Sequence, residues 1–210
     1  MSSILIRRAN MVAAGSGPTP GRLPDGYTEL AWIGANGTQL ITISKKLSCD
    51  TDDVYADFYI TDASAQIRVF GARTTTTNKA YALDLNGGNW RLGWGNSTTA
   101  LGAASDGRHT CFIDHTNGSL AIDGIALGQK GASSVVTAYN AGVLAIRSNS
   151  TYYSVAEIRI YEFKVWTSGT LDIHLIPAMR DSDSEVGMYD IVNDEFLTNS
   201  GTGTFLYGTL

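Results

Sequence analysis

Long apolar runs are missing from this 210-residue chain. Nothing in it approaches the roughly 20 consecutive apolar residues of a membrane-spanning helix, so no helical membrane insertion is expected. Cysteine is nearly absent. Cys49 and Cys111 are too few for a disulfide framework, and two buried thiols are expected in preference to a bridge. Proline is scarce, with three of four between Pro18 and Pro24. Charged residues make up 17%, the net charge is −5 and the pI about 5.1. That balance argues against non-specific nucleic-acid binding, which needs a basic surface, although Arg7 and Arg8 form one local basic pair. The first fifteen residues are not expected to act as a signal peptide, because Arg7 and Arg8 interrupt the apolar run instead of preceding it. Release by lysis or retention in the cell is expected. Also missing are an amphipathic helix, a phosphate loop and a Gly-x-Ser-x-Gly elbow.

What is present is glycine, 23 of them, and short apolar runs broken by Gly, Asn, Thr and Ser. This is all-β composition, at a length that suits one domain with a short extension. Residues 1–25 read as an N-terminal arm, and 26–210 as the folded domain. In the arm, Ile4, Leu5 and Ile6 form an apolar patch, followed by Arg7, Arg8, Met11 and Val12. Gly15 to Gly21 then forms a Gly/Pro linker that suits neither helix nor central strand. A terminus of this kind is either a loose tail or a docking peptide.

Two strands are expected around an Ala35-Asn36-Gly37 turn, with further strands at Val54–Ile60 and Gln66–Phe70. Asn86-Gly87-Gly88-Asn89 is a strong hairpin signal. It places Tyr81, Leu83, Leu85, Trp90, Leu92 and Trp94 on one face. With Gly87-Gly88 as the turn, Asp84 stands opposite Arg91 on the other face as a cross-strand ion pair. A second hairpin runs from Gly107 through Asn117-Gly118 to Leu127, with Asp123-Gly124 as the next turn. Between Val155 and Trp166 the apolar phase shifts, which predicts a β-bulge near Ile160-Tyr161.

The last forty residues carry a resemblance. A strand ends in Ile176-Pro177, an acidic turn follows from Asp181 to Glu185, then Gly187-Met188-Tyr189-Asp190, and finally Gly201-Thr202-Gly203-Thr204-Phe205. In order and spacing this resembles the closing segment of concanavalin A-like (laminin-G-like) modules of phage and prophage structural proteins. The pairing of a His109-containing strand with Leu120-Ala121-Ile122-Asp123-Gly124 resembles them too, so the likeness covers roughly residues 25 to 207. It implies an all-β, two-sheet antiparallel jelly-roll sandwich behind an extended arm. It further implies a non-enzymatic virion protein on the particle surface: a head fibre, decoration protein or tail-associated adhesin. Short apolar-arginine starts are similar to those of phage structural proteins, so Ile4, Leu5, Ile6, Arg7, Arg8 and Met11 are expected to dock onto other virion proteins. A homo-oligomer, by analogy a trimer, and contact with host or mucosal glycans are also expected. A free carbohydrate-binding module is the alternative, and a glycoside hydrolase the third reading.

Among candidate chemistries, a retaining glycosidase needs two carboxylates about 5–5.5 Å apart. The Glu-x-Asp-x-x-Glu strand of related glucanases is absent. Glu157 and Glu162 come nearest and are expected to be solvated strand-face charges. His109 and His115 flank Cys111 without a zinc spacing, and no cofactor is expected. If an ion is held, Asp50–Asp53 or Asp181–Glu185 supply oxygen ligands for calcium. Sugars stack on aromatic rings and bond to polar side chains. Trp94, Asn96, Arg91 and Trp90 are therefore the candidate ligand-binding residues, although a sandwich buries one whole face and Trp90 fits the core as well. Trp32 and Trp166 are expected in the core.

Overall fold

A computed structural model describes residues 21–75, 78–149, 151–153 and 157–210. Every regular element among them is a β-strand, and the strands form two sheets packed face to face.

The first sheet has ten strands. In order they are β10 (Ile125–Gln129), β9 (Ser119–Ile122), β8 (Gly107–Asp114), β3 (Asp52–Ile60), β14 (Ile158–Thr167), β1 (Tyr27–Ala35), β15 (Thr170–Arg180), β16 (Glu185–Asp190) and β17 (Glu195–Leu197), with β18 (Leu206–Thr209) on β1. The second has eight: β13 (Thr151–Tyr153), β12 (Ile146–Ser148), β4 (Ile67–Arg73), β5 (Ala80–Asn86), β6 (Asn89–Gly95) and β7 (Ser97–Ala103), with β11 (Gly142–Val143) against β4 and β2 (Ile41–Thr42) against β11. Pairing is antiparallel except where β12 runs parallel to β4. The expected all-β, two-sheet antiparallel sandwich is thus the observed architecture, and its layout is consistent with a jelly roll.

The local signals are realised. Gly87 and Gly88 hold φ of 58° and 74°, and Asn86 faces Asn89 across the two-residue turn. Two successive positive φ values match the strand twist, and glycine adopts them without steric cost. Asp84 stands opposite Arg91. Asp123 and Gly124 likewise close β9 onto β10, with φ of 50° and 79°. The β14 register slips between Ile160 and Glu162, which is the expected bulge.

Other expectations are corrected. β1 and β2 are not hairpin partners, because β1 lies in the ten-stranded sheet and β2 in the other. The Ala35-Asn36-Gly37 turn therefore carries the chain across the sandwich. β1 itself is shared between neighbours. Tyr27–Glu29 pair with β15, while Ile33–Ala35 pair with β14. A register irregularity between Leu30 and Trp32 accompanies the change. Arg22 and Leu23, inside the stretch 1–25 expected as the arm, pack on the sandwich. Arg22 bonds Glu29, and Leu23 covers Ile176, Ala178 and Tyr189. The docking residues Ile4, Leu5, Ile6, Arg7, Arg8 and Met11 lie outside the described residues.

The core sits between the inner faces. Phe58 of β3 meets Trp90 of β6 edge-on at 5.8 Å, and Phe70 of β4 meets Phe163 of β14 at 5.3 Å. Such aromatic pairs add about 0.5–1.5 kcal/mol each beyond the area they bury. The buried Tyr81 hydroxyl donates to the Asp52 carbonyl at 2.7 Å, tying the sheets together. Cys49 and Cys111 are both buried free thiols. Burial pushes the Cys49 thiol up to about 11, and that of Cys111 also upward.

Candidate functional site

The tryptophans expected to bind ligand belong to the core. Trp90 and Trp94 are 2% and 3% exposed. Trp94 Nε1 donates to the Gly131 carbonyl at 2.9 Å, and its ring packs on Tyr81. Neither ring face is open to a sugar, because the inner face of a sandwich is consumed by packing against the opposite sheet. Arg91 points the other way and is committed to Asp84. Asn96 is exposed at the β6–β7 turn, where its side-chain oxygen accepts the Lys79 N–H. The four residues do not form a platform.

The open aromatics are elsewhere. Along β3, Val54, Ala56, Phe58 and Ile60 point inward and are buried, so Tyr55, Asp57 and Tyr59 point outward by the period of two. The same alternation on β8 turns out Arg108, Thr110 and Phe112. On β14 it turns out Arg159, Lys164 and Trp166, together with Tyr161 and Glu162 at the bulge. Six partly exposed rings thus share the outer face of the ten-stranded sheet: Trp32, Tyr55, Tyr59, Phe112, Tyr161 and Trp166. Trp32 and Trp166 are therefore not core residues. After Leu30 points inward, the irregularity before Trp32 gives the next inward position to Ile33. Trp166 follows the inward Val165 and so points out.

Cations are interleaved with these rings. Arg108 lies 3.9 Å over the Tyr161 ring, and Arg159 lies 4.5 Å from Trp32 and 5.3 Å from Tyr59. Lys164 lies 5.4 Å from Tyr55. Each such contact contributes about 0.5–1 kcal/mol at an exposed site. Cross-strand register sets the order. Phe112, Tyr55, Lys164 and His174 form one row, and Arg108, Tyr59 and Arg159 another. Between them, Thr110, Asp57 and Glu162 make a third row. Two acids, Asp57 and Glu162, therefore face each other directly, which is destabilising unless each is compensated. Asp57 takes both ends of Arg108 at 2.8 and 2.9 Å.

Glu162 is compensated by a wider network and is not the solvated charge expected from sequence. Its side chain is 14% exposed. Oε1 accepts from His174 Nε2 at 2.7 Å, and Oε2 pairs with Lys164 at 3.0 Å. Arg22 bridges Glu162, at 3.4 Å, to the buried side chain of Glu29, at 2.5 Å. Burial alone would raise the Glu162 carboxyl pKa, but His174 and Lys164 outweigh it and the net shift is downward. Burial and the nearby Asp57 and Glu162 charges push the Tyr55 phenol upward, so it stays a neutral donor. Glu157 bonds Arg159 at 3.3 Å and takes no part in this network among the described contacts. The face thus offers flat rings, guanidinium and ammonium donors, and a fixed carboxylate acceptor.

The remaining polar candidates are tied into the fold. Both His109 ring nitrogens are engaged, one with Asp123 at 2.7 Å and one with the Ser105 carbonyl at 2.8 Å. His115 joins Asp53 and Asp114 in one group with ligand-type atoms within 4.8 Å. Asp53 Oδ1 already accepts both the His115 backbone N–H and Nδ1, and Asp114 accepts Thr116 N–H. Of the acidic loops, Asp52 is bonded to Ser48, Thr51 and Thr167, and Asp183 to Arg180.

No family model and no curated protein matches this chain. Among solved structures it is similar to a Trypanosoma rangeli sialidase in complex with 2,3-difluorosialic acid, with 11% identity and a TM-score of 0.45. The match covers 80% of this chain and 36% of that one, so the chain spans about a third of the sialidase chain. The expectation that this chain is not an enzyme is withdrawn on that finding, since the structure it is similar to is that of a sialidase. At this TM-score the likeness assigns it no activity.

Proposed function

We propose that this chain is a glycan-contacting surface module of a phage-type structural protein, and that the outer face of the ten-stranded sheet makes the contact. One observation carries the reading: six partly exposed rings interleaved with Arg108, Arg159 and Lys164 on one continuous sheet face. Soluble domains seldom leave so many aromatics in one patch without a partner. Saccharides match the patch because a ring stacks on their C–H face while carboxylate and guanidinium groups bond their hydroxyls. The concanavalin A-like resemblance of residues 25 to 207 supports the phage half of the proposal. In it, the arm with Ile4, Leu5, Ile6, Arg7, Arg8 and Met11 grips other virion proteins, and the sandwich stands outward as part of a trimer.

Three experiments test this reading. On a glycan array, binding by the full chain is expected to fall at least tenfold in Trp32→Ala and Tyr59→Ala and to be unchanged in Asn96→Ala. A blank array, or equal binding by all four proteins, refutes glycan contact through this face. Deleting residues 1–21 is expected to abolish incorporation into particles while the sandwich still folds. Incorporation without the arm refutes the docking role. Sedimentation of the full chain as a monomer refutes the trimer.

A further inference from the structure

The outer face of the eight-stranded sheet holds a second concentration of charge. Asp84 of β5 is 2% exposed and lies between Arg91 of β6 and two arginines of β4, Arg68 and Arg73. Arg91 binds it with two bonds, Nε to Oδ1 at 2.6 Å and Nη2 to Oδ2 at 2.9 Å. Arg68 Nη1 and Arg73 Nη1 reach Oδ2 at 2.7 and 3.5 Å. Three guanidinium groups therefore meet on one carboxylate. Among the described residues, the ion pairs of Arg68 and Arg91 both end on Asp84.

Gathering like charges away from water is costly for each ion left uncompensated. Arg68 carries the mark of it. Burial lowers its affinity for its proton in spite of Asp84. Arg68 is 6% exposed, and its Nε is buried without a hydrogen-bond partner. A buried guanidinium donor left unmet beside surplus positive charge is what an oxyanion satisfies, because carboxylate and sulfate oxygens match the guanidinium fork. The group is not sealed. The Arg91 side chain is 18% exposed, and its β7 neighbour Ala100 is exposed.

We propose that Arg68, Arg73 and Arg91 form a binding site for one oxyanion, entered past Arg91 and shared with Asp84. The ligand is a carboxylate or sulfate group, either carried on an acidic sugar or free in solution. The site lies on the opposite sheet from the aromatic face, so its fate is independent of that reading.

Calorimetric titration of the full chain at constant ionic strength, with sodium glucuronate, sodium sulfate and neutral glucose, tests it. One-to-one saturable binding is expected for an oxyanion and not for glucose. Tighter binding of glucuronate than of sulfate identifies a sugar acid as the ligand, and the reverse identifies a free ion. Arg68→Gln is expected to weaken binding at least tenfold. Asp84→Asn removes the internal competitor, so the variant, if folded by circular dichroism, is expected to bind several-fold tighter. Absence of saturable binding of both anions to the wild-type chain overturns the proposal. So does full affinity in Arg68→Gln, or a folded Asp84→Asn that binds no tighter. The wild-type and Arg68→Gln titrations decide the matter even if Asp84→Asn does not fold.

Discussion

The two outer faces of the sandwich obey the same alternation and are filled in opposite ways. On the ten-stranded sheet, large rings and charged side chains stand out from the surface and stay partly exposed. On the eight-stranded sheet, β4 and nearly all of β5 are buried on both faces. There Ala80, Ala82, Gly71 and Gly93 leave room, and the arginines converge on Asp84. A Cβ at Gly71, whose φ is 132°, would collide with the Tyr81 carbonyl and Ala82. The first face presents partly exposed rings and cations over a broad area. The second is built around a single buried acid. The same fold can thus carry a wide, adaptable surface and a narrow, charge-defined one, with the difference set by side-chain size.

That contrast can be broken most directly at Asp84. Asp84→Ala leaves its arginines buried without their acid and is expected to cost about 3–5 kcal/mol, read by urea denaturation. A loss under 1 kcal/mol would mean that the group is solvated like the other face. Trp90→Ala against Trp32→Ala compares core with outer face in one residue type. The former is expected to cost about 3–5 kcal/mol, and the latter less than half as much. Equal losses would place Trp32 in the core after all.

A smaller effect is expected from Glu162. Its carboxyl pKa is lowered in the fold, so the stability it contributes is fully present above the unfolded carboxyl pKa of about 4.3. That stability is lost as pH falls through the lower folded value. The stability difference between the wild-type chain and Glu162→Gln should therefore hold steady above about pH 5 and shrink below it. A difference independent of pH would detach Glu162 from His174 and Lys164. Smallest of all, native Cys49 and Cys111 should resist alkylation at pH 8 and react only on unfolding, because burial raises both thiol pKa values. Rapid labelling of the native chain would show that the inner faces open.

Much of this was legible where the controlling interactions are local. Asn86-Gly87-Gly88-Asn89 specifies its turn through backbone preferences, so the Asp84–Arg91 pair could be placed from sequence. The slip before Glu162 showed in the changed apolar phase of β14. The candidate site was harder to read. A row of alternating aromatic and apolar residues has no sign for inside and outside when both faces carry rings. The strand Val54-Tyr55-Ala56-Asp57-Phe58-Tyr59-Ile60 has Phe58 inward and Tyr55 and Tyr59 outward. Trp90 and Trp94 are candidate sugar-binding rings in the sequence because they cluster there. Trp32, Tyr59, Tyr161 and Trp166 are not, because they come from three strands far apart in the chain.

By itself the sequence determined the all-β class, the tight turns and the bulge, since each is set by the conformational preferences of a few adjacent residues. Only the tertiary structure decided which face of each strand met the opposite sheet, that β1 and β2 fall in different sheets, and that Arg68, Arg73 and Arg91 converge on one aspartate. These depend on pairing between distant segments, whose free energy is summed over the whole core and written in no single stretch of chain.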